Sequence, residues 1–152
     1  MASAPPPKPH AHVSLITLGV GDVARAARFY AALGFTRKLT GAGEDVAFFE
    51  AGGIALSLFR ADLLAEDAGL VPSSKQPSFR GVALAWNCNS PADVDAVMAA
   101  AAAAGGDTLK PAQQTFWGGY AGYFTDLDGH LWEVAHNPRF PLSPAGTPHL
   151  PD

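Results

Sequence analysis

The sequence predicts an α+β fold, because the order strand, helix and three strands can be read twice along the chain. A β-rich run at residues 13–20 begins the first copy, and Asp22 follows it as a helix cap. A second β-rich run at residues 82–88 begins the next copy, and Ser90 follows it as a helix cap. Both helices end at a glycine, the residue that most easily adopts the left-handed backbone of a helix C-terminus. These observations predict two β-α-β-β-β modules.

Module one is predicted to span residues 12–60. Its helix, VARAARFYAAL, carries apolar residues at helical spacing and ends before Gly34. Glycine-rich turns separate three further strands, which we expect at residues 35–39, 45–51 and 54–60.

Module two is predicted to span residues 81–137. Its helix has Pro91 at the first helical position and stops at Gly105. Further strands are expected near residues 107–110, 120–125 and 130–136. A linker of residues 61–80, which begins with a short helix, joins the two modules into a single domain of residues 12–137. A flexible tail of residues 1–11 precedes this domain, and a proline-rich tail of residues 138–152 follows it.

The composition of the chain indicates which classes of partner this domain is not expected to bind. Hydrophobic residues make up 48% of the 152 residues and charged residues 16%, which favours a packed core over disorder. The net charge is -4 and no run of Lys or Arg occurs, so we expect no nucleic-acid partner. Neither a secretory signal nor a long uncharged apolar stretch is present, so we expect no membrane partner. A single cysteine, Cys88, allows no intrachain disulfide, and the cytoplasm is the expected location.

Two segments resemble the glyoxalase/bleomycin-resistance/extradiol-dioxygenase superfamily, also called the vicinal oxygen chelate family. They are TLGVGDVARAARFYAALGF and FWGGYAGYFTDLDGHLWEVAHNP. In the second, a strand, an Asp-x-Asp-Gly turn and a strand with Trp-Glu are typical of that superfamily. The resemblance covers about residues 12–137. It implies a half-open mixed β-barrel around a shared cavity, a small-molecule ligand and a two-fold homodimer.

The resemblance also implies where a divalent metal would bind. Enzymes of the superfamily take one ligand from the first and one from the last strand of each module. The matching positions here are Leu15, Ser57, Gly81 and Glu133. Only Glu133 offers a good donor, and one carboxylate does not hold a divalent ion against water. We therefore predict no family-type metal site and no cofactor.

Strand alternation nominates the residues that line the cavity. If Leu15 and Glu133 face inward, most side chains of the cavity wall are apolar, and its polar side chains are Thr17, Ser57, Asn87 and Glu133. Glu133 is the candidate catalytic residue, since a carboxyl group among apolar side chains exchanges protons closer to neutral pH. The alternative is that Glu133 is hydrogen-bonded to Ser57 or Thr17, or binds an amine of the ligand.

Aromatic residues flank a glycine pair at Phe116–Tyr120. There, Trp117 and Tyr120 are predicted to cover the cavity mouth and to bind a flat or cationic ligand. The alternative is that they are core aromatics that close the barrel.

Two functions remain open on the sequence alone, and with them the question whether the chain is an enzyme. The first is a metal-independent protein resembling the bleomycin-resistance branch, which holds a small organic molecule in the barrel cavity. The second is a lyase or isomerase resembling glyoxalase I, with Glu133 as general base. A scaffold or interaction domain is a third reading, since fold does not settle function.

Overall fold

A computed structural model describes all 152 residues and contains both predicted modules. Module one is formed by the elements β1 (Leu15–Val20), α1 (Val23–Ala32), β2 (Thr36–Lys38), β3 (Val46–Glu50) and β4 (Ala55–Arg60). A short helix, α2 (Ala61–Asp67), opens the linker. Module two is formed by β5 (Ala83–Asn87), α3 (Pro91–Ala103), β6 (Asp107–Gln114), β7 (Tyr120–Thr125) and β8 (Leu131–His136). The predicted α+β fold is confirmed.

Local sequence signals set the ends of the two long helices. The Asp22 side chain accepts a hydrogen bond from the backbone N–H of Arg25, and Ser90 does the same for Asp93. Gly34 and Gly105 follow the helices with φ of 99° and 103°. None of the helices is long and apolar enough to cross a membrane.

Each module folds into its own four-stranded mixed sheet. The strand order is β1-β4-β3-β2 in sheet A and β5-β8-β7-β6 in sheet B. The first and last strands of each module are parallel neighbours, and the remaining pairs are antiparallel. As a result, β1 and β5 each pair on one side only, and each leaves a free edge.

Strand β6 extends beyond its predicted end. It continues through Pro111 to Gln114, with register shifts on either side of Lys110 against β7. A proline is tolerated here because β6 is an edge strand and its free side needs no backbone donor.

The two sheets share one core, with α1 between them. In a continuous eight-stranded sheet, β3 and β7 would be five strands apart, or about 24 Å. Here Tyr30 of α1 packs on Phe49 of β3 at 6.4 Å between ring centroids. The neighbouring Phe29 packs on Phe124 of β7 at 6.3 Å, and the Phe29 and Tyr30 rings are 5.1 Å apart. Residues of both sheets and of α1 belong to one buried cluster, so the helix-covered faces of the two sheets share this core.

The two four-stranded sheets do not close into a barrel, and in each sheet one face lies opposite the shared core. We call these the outward faces of sheets A and B; they carry alternate residues, among them Thr17 and Ser57 on sheet A and Ala85 and Glu133 on sheet B.

The Asp-x-Asp-Gly turn between β7 and β8 joins the two modules. Asp126 is buried and accepts a hydrogen bond from the Tyr30 hydroxyl at 2.5 Å. The Asp128 carboxylate accepts from the backbone N–H of Gly21 at 2.8 Å. His130 Nε2 donates to the carbonyl oxygen of Gly19 at 2.7 Å. The turn that carried the family resemblance therefore holds β1 and α1 against sheet B.

The C-terminal segment of residues 138–152, which we call the strap, folds back onto module one. The Thr147 hydroxyl donates to the carbonyl oxygen of Gly52 at 3.1 Å. Gly52 has φ of 68°, and a side chain there would collide with the backbone oxygen of Ala145. The strap thus depends on a glycine in the turn between β3 and β4.

Candidate functional site

The outward face of sheet A carries a pair of hydroxyl groups. Thr17 and Ser57 are direct neighbours on the parallel strands β1 and β4, and their oxygens are 2.6 Å apart. Ser57 is buried although it is polar. Phe48 and Phe59 lie beside Ser57 on the same face, by the strand register and alternation. Each hydroxyl still has a lone pair or a proton to offer a ligand.

The outward face of sheet B carries a hydrogen-bonded tyrosine–glutamate pair. Tyr123 lies opposite Glu133 on the antiparallel strands β7 and β8, and its hydroxyl donates to Glu133 Oε2 at 2.6 Å. That hydrogen bond raises the pKa of Tyr123, and partial burial and the nearby charge add to the effect. Within the chain, Glu133 is hydrogen-bonded to Tyr123, whereas Ser57 and Thr17, its partners in the alternative interpretation, bond each other.

Small apolar side chains surround this pair. Ala85 is the direct neighbour of Glu133 on β5, and Asn87 lies two residues further along the same face. Ala83 and Ala85 are exposed although they are apolar residues in a sheet. Beside β5, the outward face of sheet B is therefore lined by small side chains next to Glu133, while the register of β6 places Lys110 opposite Tyr123.

Tyr123 is the residue of this site that the sequence prediction missed. Glu133 was nominated by alternation within one strand, whereas Tyr123 is its neighbour only through the pairing of β7 with β8. The available signal was the tight Asp126–Gly129 turn, from which the register of the hairpin follows once the turn is placed.

The two predicted aromatic residues do not lie together with Glu133. Tyr120 is on the helix side of sheet B, where its hydroxyl donates to Asp95 of α3 at 2.6 Å. Trp117 folds back over its own loop, with its ring so close to Gly119 that no side chain would fit there. Its side chain remains partly exposed, at 37%. Tyr120 thus lies on the opposite face of sheet B from Glu133, and the Trp117 ring packs against its own loop.

The residues at the family metal positions do not fit a divalent ion. Leu15 has no donor atom, and Gly81 precedes β5 rather than lying beside Glu133. Ser57 is hydrogen-bonded to Thr17, and Glu133 to Tyr123. No three His, Cys, Asp or Glu side chains of the chain come together elsewhere. We therefore derive no step of the chemistry through a metal.

The paired modules define a class of protein, and comparison with known sequences identifies it. A family profile described as the Glyoxalase/Bleomycin resistance protein/Dioxygenase superfamily matches residues 11–134. The chain therefore belongs to this superfamily. No functionally curated protein matches it in sequence.

Solved structures agree with this membership. A glyoxalase-related enzyme from Fulvimarina pelagi is 34% identical with a TM-score of 0.83, over 93% of this chain and 99% of that one. A glyoxalase/bleomycin resistance protein/dioxygenase from Nocardioides is 26% identical with a TM-score of 0.70, over 86% and 85%. A lactoylglutathione lyase from Agrobacterium tumefaciens is 22% identical with a TM-score of 0.64, over 85% and 96%, and shows likeness of fold alone.

Proposed function

We propose that the chain binds a small organic molecule in a cavity that two copies of it build together, without a family-type metal. The observation that carries the proposal is the pair of outward faces, each with one hydrogen-bonded polar pair beside apolar side chains: Thr17 with Ser57, and Tyr123 with Glu133. A ligand site is usually a concave apolar surface with a few convergent polar groups. Each outward face supplies half of such a surface.

A second copy is needed because the two halves point away from each other in one chain. Exposed apolar side chains lie at the start of both free edges: Leu15, the first residue of β1, is 42% exposed, and Val82, directly before β5, is 65% exposed. Unpaired strand edges with apolar residues are where sheets associate. In a two-fold homodimer, sheet A of one copy meets sheet B of the other, and the arrangement creates two equal cavities.

The polar pairs give the cavity its selectivity. Glu133 supplies a negative charge that favours an amine or another cationic group on the ligand. The hydroxyl groups of Thr17 and Ser57 supply donors and acceptors from the opposite wall. We place this binding in the cytoplasm, since the only cysteine, Cys88, is a free thiol.

Native mass spectrometry of the purified protein tests this proposal. We expect a dimer that carries up to two equal added masses from the molecule that co-purifies. Glu133→Gln should remove most of the added mass and keep the dimer, whereas the matched control Glu66→Gln on the exposed face of α2 should change neither. Loss of the added mass in both variants, or none in either, would contradict the assignment of Glu133.

A second candidate is a lyase or isomerase like glyoxalase I, with Glu133 as general base. The hydrogen bond from Tyr123 to Glu133 favours it, because it places a proton donor beside a proton acceptor on an open wall. Turnover of methylglyoxal with glutathione tests it. We expect Glu133→Gln to lower kcat about 100-fold or more, and Tyr123→Phe to shift the pH profile. Equal rates with and without the protein exclude this activity on that substrate.

A further inference from the structure

An irregularity in strand β6 turns one charged residue toward the outward face of sheet B. Thr108 lies opposite Phe124, which is buried on the helix side. Lys110 is two residues further along, so in a regular strand it would share the face of Thr108. A register shift between the two instead places Lys110 opposite Tyr123, whose hydroxyl donates to Glu133 on the outward face. Directly opposed residues of neighbouring strands share a face, so Lys110 lies on the outward face.

A second register shift follows Lys110 and restores the regular alternation, because Gln113 lies opposite Ala121. Among the paired residues of β6, the two shifts thus move Lys110 alone to another face. Gly122 of β7 makes room for this distortion: a side chain there would meet the backbone nitrogen of Ala112 at 2.9 Å and the Lys110 oxygen at 3.0 Å. Bulges of this kind are over-represented beside functional sites, where they re-aim a side chain.

We propose that Lys110 binds an anionic group of the ligand and that the ligand is therefore a zwitterion. This assignment rests on the proposed function, in which Glu133 binds the cationic group of the same ligand. Lys110 and Glu133 lie on β6 and β8 with β7 between them, so about 10 Å separates their Cα atoms. Tyr123 lies between the two residues. A carboxylate at Lys110 and an amine at Glu133 would be joined by an apolar body over Tyr123.

The charges of Lys110 and Glu133 are free to contact a ligand. Lys110 is exposed, and neither residue belongs to an ion pair of the chain. Asp107, at the start of β6, lies on this face by the same register, but it is exposed to water, which weakens its effect on Lys110. On the outward face of sheet A, Lys38 and Glu50 pair with each other at 3.7 Å and together add no net charge. The two unpaired charges on β6 and β8 therefore match a zwitterion that extends across the strands.

Three probes that share a phenyl ring and differ in charge test this assignment by ligand-observed NMR titration of the full chain. The zwitterion is para-(aminomethyl)benzoate, the cation is benzylamine and the anion is para-toluate. We expect the zwitterion to bind about tenfold more tightly than either other probe, because it gains a charge-assisted contact at each end. Lys110→Gln should lower the affinity for the zwitterion about threefold to tenfold and leave that for benzylamine unchanged.

Further variants control for net charge and for the placement of the lysine. Lys75→Gln in the linker and Asp107→Asn at the start of β6 should leave the affinities for all three probes unchanged. Gly122→Ala keeps the lysine but displaces the bulge, so we expect the same loss of preference for the zwitterion as in Lys110→Gln. Lys110→Arg retains the positive charge and should retain the preference.

The outcomes distinguish a failure of this assignment from a failure of the proposed cavity. If Glu133→Gln removes benzylamine binding while Lys110→Gln leaves zwitterion binding unchanged, the cavity stands and the role of Lys110 is refuted. Lysines and bulges also keep edge strands from pairing with other sheets. Increased self-association of Lys110→Gln with unchanged zwitterion affinity would support that role and overturn the proposal. Absence of binding by all three probes also overturns it, and the native mass spectrum then decides on the cavity separately.

Discussion

At the scale of single residues, Tyr30 is the side chain on which the joint between the modules depends. Its hydroxyl is fully buried, donates to Asp126 and accepts from Trp132 Nε1 at 3.1 Å. Tyr30→Phe leaves a buried carboxylate without this donor, so we expect a loss of about 2–3 kcal/mol in the free energy of unfolding. Urea denaturation at pH 7 measures it. The control Tyr120→Phe, whose partner Asp95 is exposed, should cost less than about 0.5 kcal/mol.

The same residue predicts how stability responds to alkaline pH. Burial raises the pKa of Tyr30 far above its ordinary value, and the charge of Asp126 and the hydrogen bond to it act in the same direction. The unfolded chain loses this proton near pH 10 while the folded chain keeps it, so stability holds below about pH 10 and falls above it. In the Tyr30→Phe variant, this part of the loss of stability above about pH 10 should be absent. An equal loss of stability with rising pH in the variant and in the unchanged protein would contradict the assignment of this effect to Tyr30.

The buried environment of Cys88 lowers the reactivity of its thiol group. Burial raises the pKa of its thiol to about 11, and the charge of Asp93 adds to the effect. We expect the native protein to react with a disulfide reagent at pH 8 at least about 100 times more slowly than the urea-unfolded chain. Rapid labelling of the folded protein would show that the thiol is accessible and ionised.

At the scale of elements, Gly106 allows α3, β7 and α1 to approach one another. A methyl group at this position would lie 2.9 Å from the oxygen of Thr125, 3.0 Å from that of Ala101 and 3.2 Å from the ring of Phe29. Two of these are backbone atoms that cannot turn aside. We expect Gly106→Ala to lower the unfolding free energy by about 1–3 kcal/mol. Gly41→Ala, with open space around it, should change stability by less than about 1 kcal/mol, measured in the same denaturation experiment.

At the scale of the whole molecule, the free edges predict the assembly. Leu15→Arg introduces a charge at the edge of β1, where the proposed dimer buries apolar side chains. We expect the dimer dissociation constant to rise at least about 100-fold, measured by sedimentation at several concentrations. The control Leu70→Arg changes another exposed leucine, which follows α2, and should leave the dimer intact. An unchanged dimer in Leu15→Arg would place the interface elsewhere.

Local sequence signals were enough for the elements of this protein. Asp22 and Ser90 cap the helices they were expected to cap, because a capping side chain acts on backbone groups a few residues away. Alternation likewise put Thr17 and Ser57 on one face, since side chains alternate along any strand. The true end of β6 escaped prediction because its bulged pairing depends on contacts with β7.

Only the tertiary structure decided how the modules meet. Tyr30 reads in the sequence as an ordinary helix residue, yet its contacts with Phe49 and Asp126 hold two sheets face to face. The contact of Tyr30 with Asp126 joins residues 96 positions apart, and no local periodicity encodes which distant surface a helix will cover. The sequence by itself determined the elements and the family, and long-range packing determined which faces of the two sheets lie outside the shared core.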